Sequence, residues 1–230
     1  MDAALTPAAA GLTARAAERV QVDRRTQILE AARAVLGRQG YAETSTKDIA
    51  REAGVAPGLL HYYFESKEEI LIEVVEGLIR EIVASHRDAV QGFDDPLEAV
   101  SHAMDLAAER CSGPGFCRLL LDSYSLALSN PSVRERLRPM LDEMIASTQR
   151  TAEEIKAGLA VPDIGISMGD LATAIVGAMD GVAMLSTIRE QDPGGAYRAL
   201  KILLMAFVVL GYVAKGEEPP LTRLLDLAFR

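Results

Sequence analysis

The chain has 230 residues, a formal net charge of −9, 49% hydrophobic and 25% charged residues, which excludes a globally disordered or fibrous chain and leaves ample material for a packed core. Two cysteines exclude a disulfide framework, and the first residues lack the apolar centre of a secretory signal. The longest apolar run, Ile202–Ala214, has thirteen residues between Lys201 and Lys215, short of the ~20 that a membrane helix needs, so a cytoplasmic protein without a membrane partner is expected.

Charge is unevenly spread. Residues 1–64 carry eight basic and seven acidic side chains, so the acidity belongs to the remainder of the chain. Such asymmetry suits a nucleic-acid-binding head on an acidic body. Residues 1–23 are Ala-rich, contain Pro7 and Gly11, and read as a flexible arm. From Arg24 the pattern becomes helical: Ile28, Leu29, Ala32, Val35 and Leu36 form one stripe, closed by Gly40. Ser45 and Asp48 have capping-box spacing and open a second helix that turns Ile49, Ala50 and Ala53 inward. Gly54 ends it, and Pro57 suits the first position of a third short helix, where its missing N–H costs nothing. Phe64 is expected to return to the core, and Ser66 to cap a long helix from Lys67 to about Val90.

Beyond it, breaks at Asp94–Pro96, Gly113–Gly115, Asn130–Pro131, Val161–Pro162, Asp192–Gly195 and Glu218–Pro220 delimit further helices, with no useful period-2 alternation. The expected fold is all-α, with about nine to ten helices. Its domains are a three-helix helix-turn-helix head over 24–66 and a helical body over 67–230. In the head, Ala53-Gly54-Val55-Ala56 joins two short helices. Such a pair works by crossing the DNA backbone with the first helix and laying the N-terminal residues of the second in the major groove. The inward set is Ile49, Ala50, Ala53, Val55, Leu60 and Phe64; Lys47, Pro57, Gly58, Leu59, His61, Tyr62, Tyr63 and Lys67 remain as the exposed set.

Over about residues 24–72 these motifs resemble the head of TetR-family transcriptional regulators: Thr44-Ser45-Thr46-Lys47-Asp48-Ile49-Ala50, Ala53-Gly54-Val55, Gly58-Leu59-Leu60-His61-Tyr62-Tyr63-Phe64 and Ser66-Lys67. The resemblance implies that Lys47 touches DNA and that Pro57, Gly58, Leu59 and Tyr62 face the groove. It also implies that His61, Tyr63 and Lys67 clamp phosphates while Ser45 and Thr46 aim a helix N-terminus at the backbone. Two positions depart from the pattern: Ala56, where Ser or Thr is frequent, and His61, where Tyr is usual. With Leu59 apolar as well, thymine-methyl contact and shape readout are expected to outweigh base hydrogen bonds. The same departures keep open a ligand-binding or interaction module whose head has lost DNA binding.

The body carries two strongly apolar segments, 166–189 with Gly177-x-x-x-Gly181 and 196–215, which is apolar nearly all round. Each needs more burial than the last helices of one chain provide, so pairing with a second copy is expected, and TetR-like proteins are dimers of that design. A dimer presents two recognition helices to a palindromic double-stranded operator. The resemblance also implies a body cavity for a small-molecule effector, apolar or amphipathic, that releases a repressor from DNA by tilting the Lys67 helix. His102, Met104, Tyr124, Met144, Thr148 and Asp180 are the candidate lining. Asp180, inside an apolar helix, requires a partner, either a polar group of the ligand or a hydrogen bond at the dimer interface. Cys111 and Cys117 flank a glycine turn, leaving a thiol-based switch as a further alternative. No phosphate loop, nucleophile elbow or metal-ligand spacing is present, so neither enzyme activity, metal nor cofactor is expected.

Overall fold

A computed structural model describes the backbone at residues 7–89, 92–113, 115–157 and 166–228, and the side chains within those ranges at 23–86 and from 92 onward. Among the described residues there are ten helices and no strand. The chain divides into two compact units, Met1–Val74 and Val75–Arg230, so the boundary falls inside the helix that begins at Lys67.

The first unit contains α1 (Pro7–Gln39), α2 (Thr46–Glu52), α3 (Pro57–Tyr63) and the start of α4 (Lys67–Ala89). Where the sequence reads as an arm over 1–23, the backbone is helical from Pro7 and runs unbroken into α1. Alanine's helix propensity accounts for the difference, and Gly11 alone does not outweigh it. Residues 1–6 lie outside the described chain, as does Val90, the expected end of α4.

The apolar stripe of α1 packs as its spacing requires: Ile28, Ala32 and Leu36 are wholly buried. Ile49, Ala50, Ala53, Leu60 and Phe64 join them, while Val55 is only half-buried. Two glycines take the left-handed backbone that their turns require, Gly40 after α1 (φ 85°) and Gly54 between α2 and α3 (φ 64°). At Gly54 the chain reverses, Val55 N donating to Ala50 O at 3.0 Å while Gln27 of α1 donates to Ala53 O at 2.7 Å. Those bonds fix the angle between α2 and α3.

The second unit contains the rest of α4, then α5 (Pro96–Cys111), α6 (Phe116–Ser129), α7 (Pro131–Ala157), α8 (Met168–Ile188), α9 (Gly194–Lys215) and α10 (Leu221–Ala228). The helix starts carry local caps, Asp95 for α5, Asn130 for α7 and Ser167 for α8. The expected break at Val161–Pro162 lies outside the described residues. The body core joins Leu97, Val100 and Met104 of α5, Met179 of α8, and Tyr197, Met205 and Val208 of α9.

Both α8 and α9 are long and apolar enough to cross a membrane, judged by length and composition. Counting an uninterrupted apolar run stops at Lys201 and so understates α9. Lys201 is itself 4% exposed and inside the helix, its Nζ 2.8 Å from Asp105 of α5 and 3.5 Å from Ser101. A buried cation with a protein partner belongs to a helix packed on protein.

Burial of α8 and α9 is nevertheless incomplete. Ala174, Gly177, Leu185 and Ile188 line one exposed face of α8, and Leu203, Ala206, Leu210 and Val213 one of α9. Ile188 and Leu203 are 72% and 68% exposed. Gly177 and Gly181, expected to let helices approach closely, meet no neighbour within the chain: a Cβ at either would enter open space.

Candidate nucleic-acid interface and ligand cavity

In the head, local hydrogen bonds orient α2. Ser45 Oγ accepts from Asp48 N at 3.2 Å and Asp48 Oδ2 accepts from Ser45 N at 3.0 Å, a complete capping box. The Ser45 hydrogen bonds hold the Asp48 carboxyl below its ordinary range, and Arg51 adds to this at 2.6 Å. Ser45 therefore spends its hydroxyl on the helix start and exposes the N-terminal backbone of α2. Thr46 follows half-buried, and Lys47 is exposed and without an ion pair among the described residues. Lys47 thus offers a free cation beside a helix N-terminus, a suitable place for phosphate.

Helix α3 is gripped from one side only. Leu60 and Phe64 are each 1% exposed, whereas Pro57, Gly58, His61 and Tyr62 face solvent and Leu59 and Tyr63 are half-buried. Ala56 gives α3 no side-chain cap, and Pro57 occupies its first turn. The two tyrosine rings meet edge to face at 5.2 Å. A hydroxyl-bearing aromatic pair next to Gly58 presents a surface that fits between phosphate strands and approaches bases closely.

Lys67 does not belong to the exposed set. Its ammonium is half-buried and donates to Tyr41 O at 2.7 Å and Thr44 O at 2.8 Å, lying 4.0 Å above the Tyr41 ring. Tyr41 donates in turn to Glu68, and burial with that carboxylate pushes its phenol far up. The loop between α1 and α2 is thereby tied to the start of α4. Arg25 is similarly committed, paired with Glu73 and placed over the Phe64 ring.

Within the body lies a cavity of about 150 Å³. Ile82 and His86 of α4, Val100, Met104, Ala107 and Arg110 of α5, Phe116 and Leu120 of α6, Met144 and Thr148 of α7, Ile175 and Asp180 of α8, and Leu204 and Phe207 of α9 contribute walls. Four of the six expected lining residues are there, namely Met104, Met144, Thr148 and Asp180. Two are not. His102 is exposed on the outer side of α5 against Phe93, with ring centroids 5.1 Å apart. Tyr124 stands behind the wall and donates to Asp180 Oδ2 at 2.9 Å. That bond answers what Asp180 pairs with: an intrachain phenol. Burial still raises the Asp180 carboxyl above its ordinary range, with Tyr124 opposing.

The sequence reading missed the polar end of this cavity. His86 Nδ1 lies 3.2 Å from Ser147 Oγ, and burial, with Arg110 and Arg150 nearby, lowers its pKa to about 4. Arg110 donates to Ser85 Oγ, which itself donates to Ile82 O at 2.8 Å. The signal was present in the spacing: Val100, Ala103, Met104, Ala107, Arg110 and Cys111 form one helical stripe with a cation on an apolar face. Burial raises the Cys111 thiol to about 11 and pushes Cys117 up as well, the opposite of what a reactive thiolate requires.

The sequence profile of the family described as "Bacterial regulatory proteins, tetR family" matches residues 28–74, the stretch from the α1 core to the start of α4. The chain is 27% identical over 176 residues to the HTH-type transcriptional regulator EthR of Mycolicibacterium smegmatis, covering 76% of this chain and 79% of EthR. It is 39% identical over 75 residues to the HTH-type transcriptional repressor KstR2 of Mycobacterium tuberculosis, covering 33% of this chain and 38% of that repressor. Two solved structures share the fold. FadR of Bacillus subtilis in complex with stearoyl-CoA has a TM-score of 0.62 at 21% identity over 80% of this chain and 98% of its own. A transcriptional regulator of Saccharomonospora viridis in complex with choline has a TM-score of 0.65 at 22% identity over 78% and 94%. Residues 28–74 carry the helix-turn-helix domain of the TetR family of bacterial regulatory proteins, and over most of its length the chain is similar to regulators that bear that domain.

Proposed function

We propose that the protein is a homodimeric repressor that binds a palindromic operator and is released by a small amphipathic molecule entering the body cavity. The observation that carries the DNA part is the one-sided grip on α3: Leu60 and Phe64 are buried while Pro57, Gly58, His61 and Tyr62 stand clear. Pro57, Gly58, Leu59 and Tyr62 read the groove in this scheme, Lys47, His61 and Tyr63 reach phosphates, and Ser45 and Thr46 present the α2 N-terminus. Lys67 contributes by holding the loop before α2. Dimerisation is supported by the exposed apolar faces of α8 and α9, and by Gly177 and Gly181 of α8, which have no neighbour within the chain. An operator-binding protein of this kind works in the cytoplasm and needs no catalysis.

The effector acts through α4, which carries residues of both units and contributes Ile82 and His86 to the cavity. A ligand that prefers the released conformation loosens DNA binding by the coupling energy, typically about 5- to 150-fold. Selection of bound fragments from a random duplex pool at two salt concentrations tests the reading. A palindrome whose affinity falls steeply with salt is the expected result. A folded dimer that enriches nothing, even after refolding free of co-purified ligand, would overturn it.

A further inference from the structure

The cavity wall carries more positive charge than its own residues neutralise. Arg110 and Lys156 both line it, and among the described residues neither has a carboxylate within ion-pair distance. Glu81 and Glu109 act on Arg110 only from further off, and desolvation outweighs them, so its charged form is held at a cost. A guanidinium offers five N–H donors; the bond to Ser85 Oγ occupies one nitrogen and orients the group. His86, kept uncharged by burial, adds no charge, and Thr148 and Thr151 add only hydroxyls. Among the described residues Asp180 is the one carboxylate on the wall, and it already accepts from the Tyr124 hydroxyl at 2.9 Å. A half-buried cation awaiting a partner and a buried acid already supplied with one together ask for an anion.

Resting on the reading of this cavity as the effector site, we infer that the effector is an amphipathic monocarboxylate, its head group received by Arg110 and its apolar body lodged among Met104, Leu120, Met144 and Ile175. The planar fork of the guanidinium matches a carboxylate with two parallel hydrogen bonds. One oriented guanidinium satisfies a single carboxylate head with its two parallel donors, whereas Lys156, a point charge with no orienting hydrogen bond among the described residues, adds attraction without selecting a second charge. A quaternary ammonium would need an aromatic cage, whereas Phe116 and Phe207 are the only aromatic carbocycles on the described wall.

Calorimetric titration of the intact protein with octanoate, 1-octanol and octyltrimethylammonium separates the possibilities. Octanoate is expected to bind at least about tenfold more tightly than octanol, as a charge-assisted hydrogen bond in a partly desolvated site implies, and the ammonium no better than the alcohol. Arg110→Gln is expected to bring octanoate down to the octanol level and leave octanol unchanged, which also shows that the variant is folded. If that variant does not fold, Ser85→Ala, which frees the guanidinium, reads the same point: octanoate weakens several-fold and octanol does not. Equal binding of octanoate and octanol, a preference that survives Arg110→Gln, or tightest binding of the ammonium would each overturn the inference while leaving the effector cavity standing. If none of the three probes binds, the cavity reading itself falls, and the inference with it.

Discussion

The head and the body solve opposite problems with the same kind of element, the α-helix. In the head, polar side chains are spent locally: Ser45 and Asp48 cap each other, Gln27 holds the α2–α3 turn, and Lys67 and Tyr41 tie the α1–α2 loop to α4. What remains exposed is a small, fixed surface on α2 and α3. The body leaves its apolar material unfinished, with large side chains of α8 and α9 in solvent and a cavity between its layers. A surface that must match DNA tolerates few changes in its supports. A cavity and an exposed apolar face need only volume and apolarity, which many sequences provide.

The strongest way to break the comparison is to empty the head's core. Phe64 is 1% exposed and inserts after α3, so Phe64→Ala removes a large buried ring and costs about 3–5 kcal/mol. The expected outcome is loss of operator binding with the body's thermal unfolding transition retained in calorimetry. Simultaneous loss of both transitions would show that the two units do not fold independently.

Next in size is the body's open face. Leu203→Glu with Leu210→Glu places two charges on the exposed stripe of α9, where the single chain loses almost nothing. Sedimentation should then report a folded monomer with greatly reduced affinity for a palindrome, because each head binds alone. A dimer that survives both substitutions would move the interface elsewhere.

These variants also mark where the sequence was informative. Fold class and most helix limits were legible because Ser45, Pro57, Asp95 and Asn130 act within one turn of their own position. The α3 surface was legible for the same reason. The body site was legible only in part. Met104, Met144, Thr148 and Asp180 reach the cavity, but His102 turns outward, because a polar residue in an amphipathic helix says nothing of which layer it meets. The carbonyl partners of Lys67 were not legible, because an interaction across 23 or 26 residues leaves no local signature.

The body's buried imidazole gives a smaller effect with a defined sign. His86 has its folded pKa lowered to about 4, chiefly by burial, from an ordinary value of 6.5. The unfolded chain therefore binds this proton first as pH falls, and stability drops between about pH 6.5 and 4. From pH 7 to pH 5 the loss attributable to this group is about 2 kcal/mol. Denaturant unfolding of the body at both pH values, compared with His86→Phe, checks it: the variant should lose less stability on acidification than the parent. An equal loss in both would show that His86 is not the titrating group.

The finest distinction concerns two lysines twenty positions apart on the same head. Lys47 is exposed beside the α2 N-terminus, while Lys67 is committed to the Tyr41 and Thr44 carbonyls. If only Lys47 meets a phosphate, Lys47→Ala should reduce the slope of log affinity against log salt by about 0.9, the value for one contact. Lys67→Met keeps the aliphatic stem over the Tyr41 ring but removes the donor, so the slope should stay while the head loses about 1–3 kcal/mol from two undonated carbonyls. A falling slope for Lys67→Met would mean that the ammonium exchanges its carbonyls for a phosphate on binding. The loop before α2 would then be released at the moment of contact, and the rigid head described above would be a property of the free protein alone.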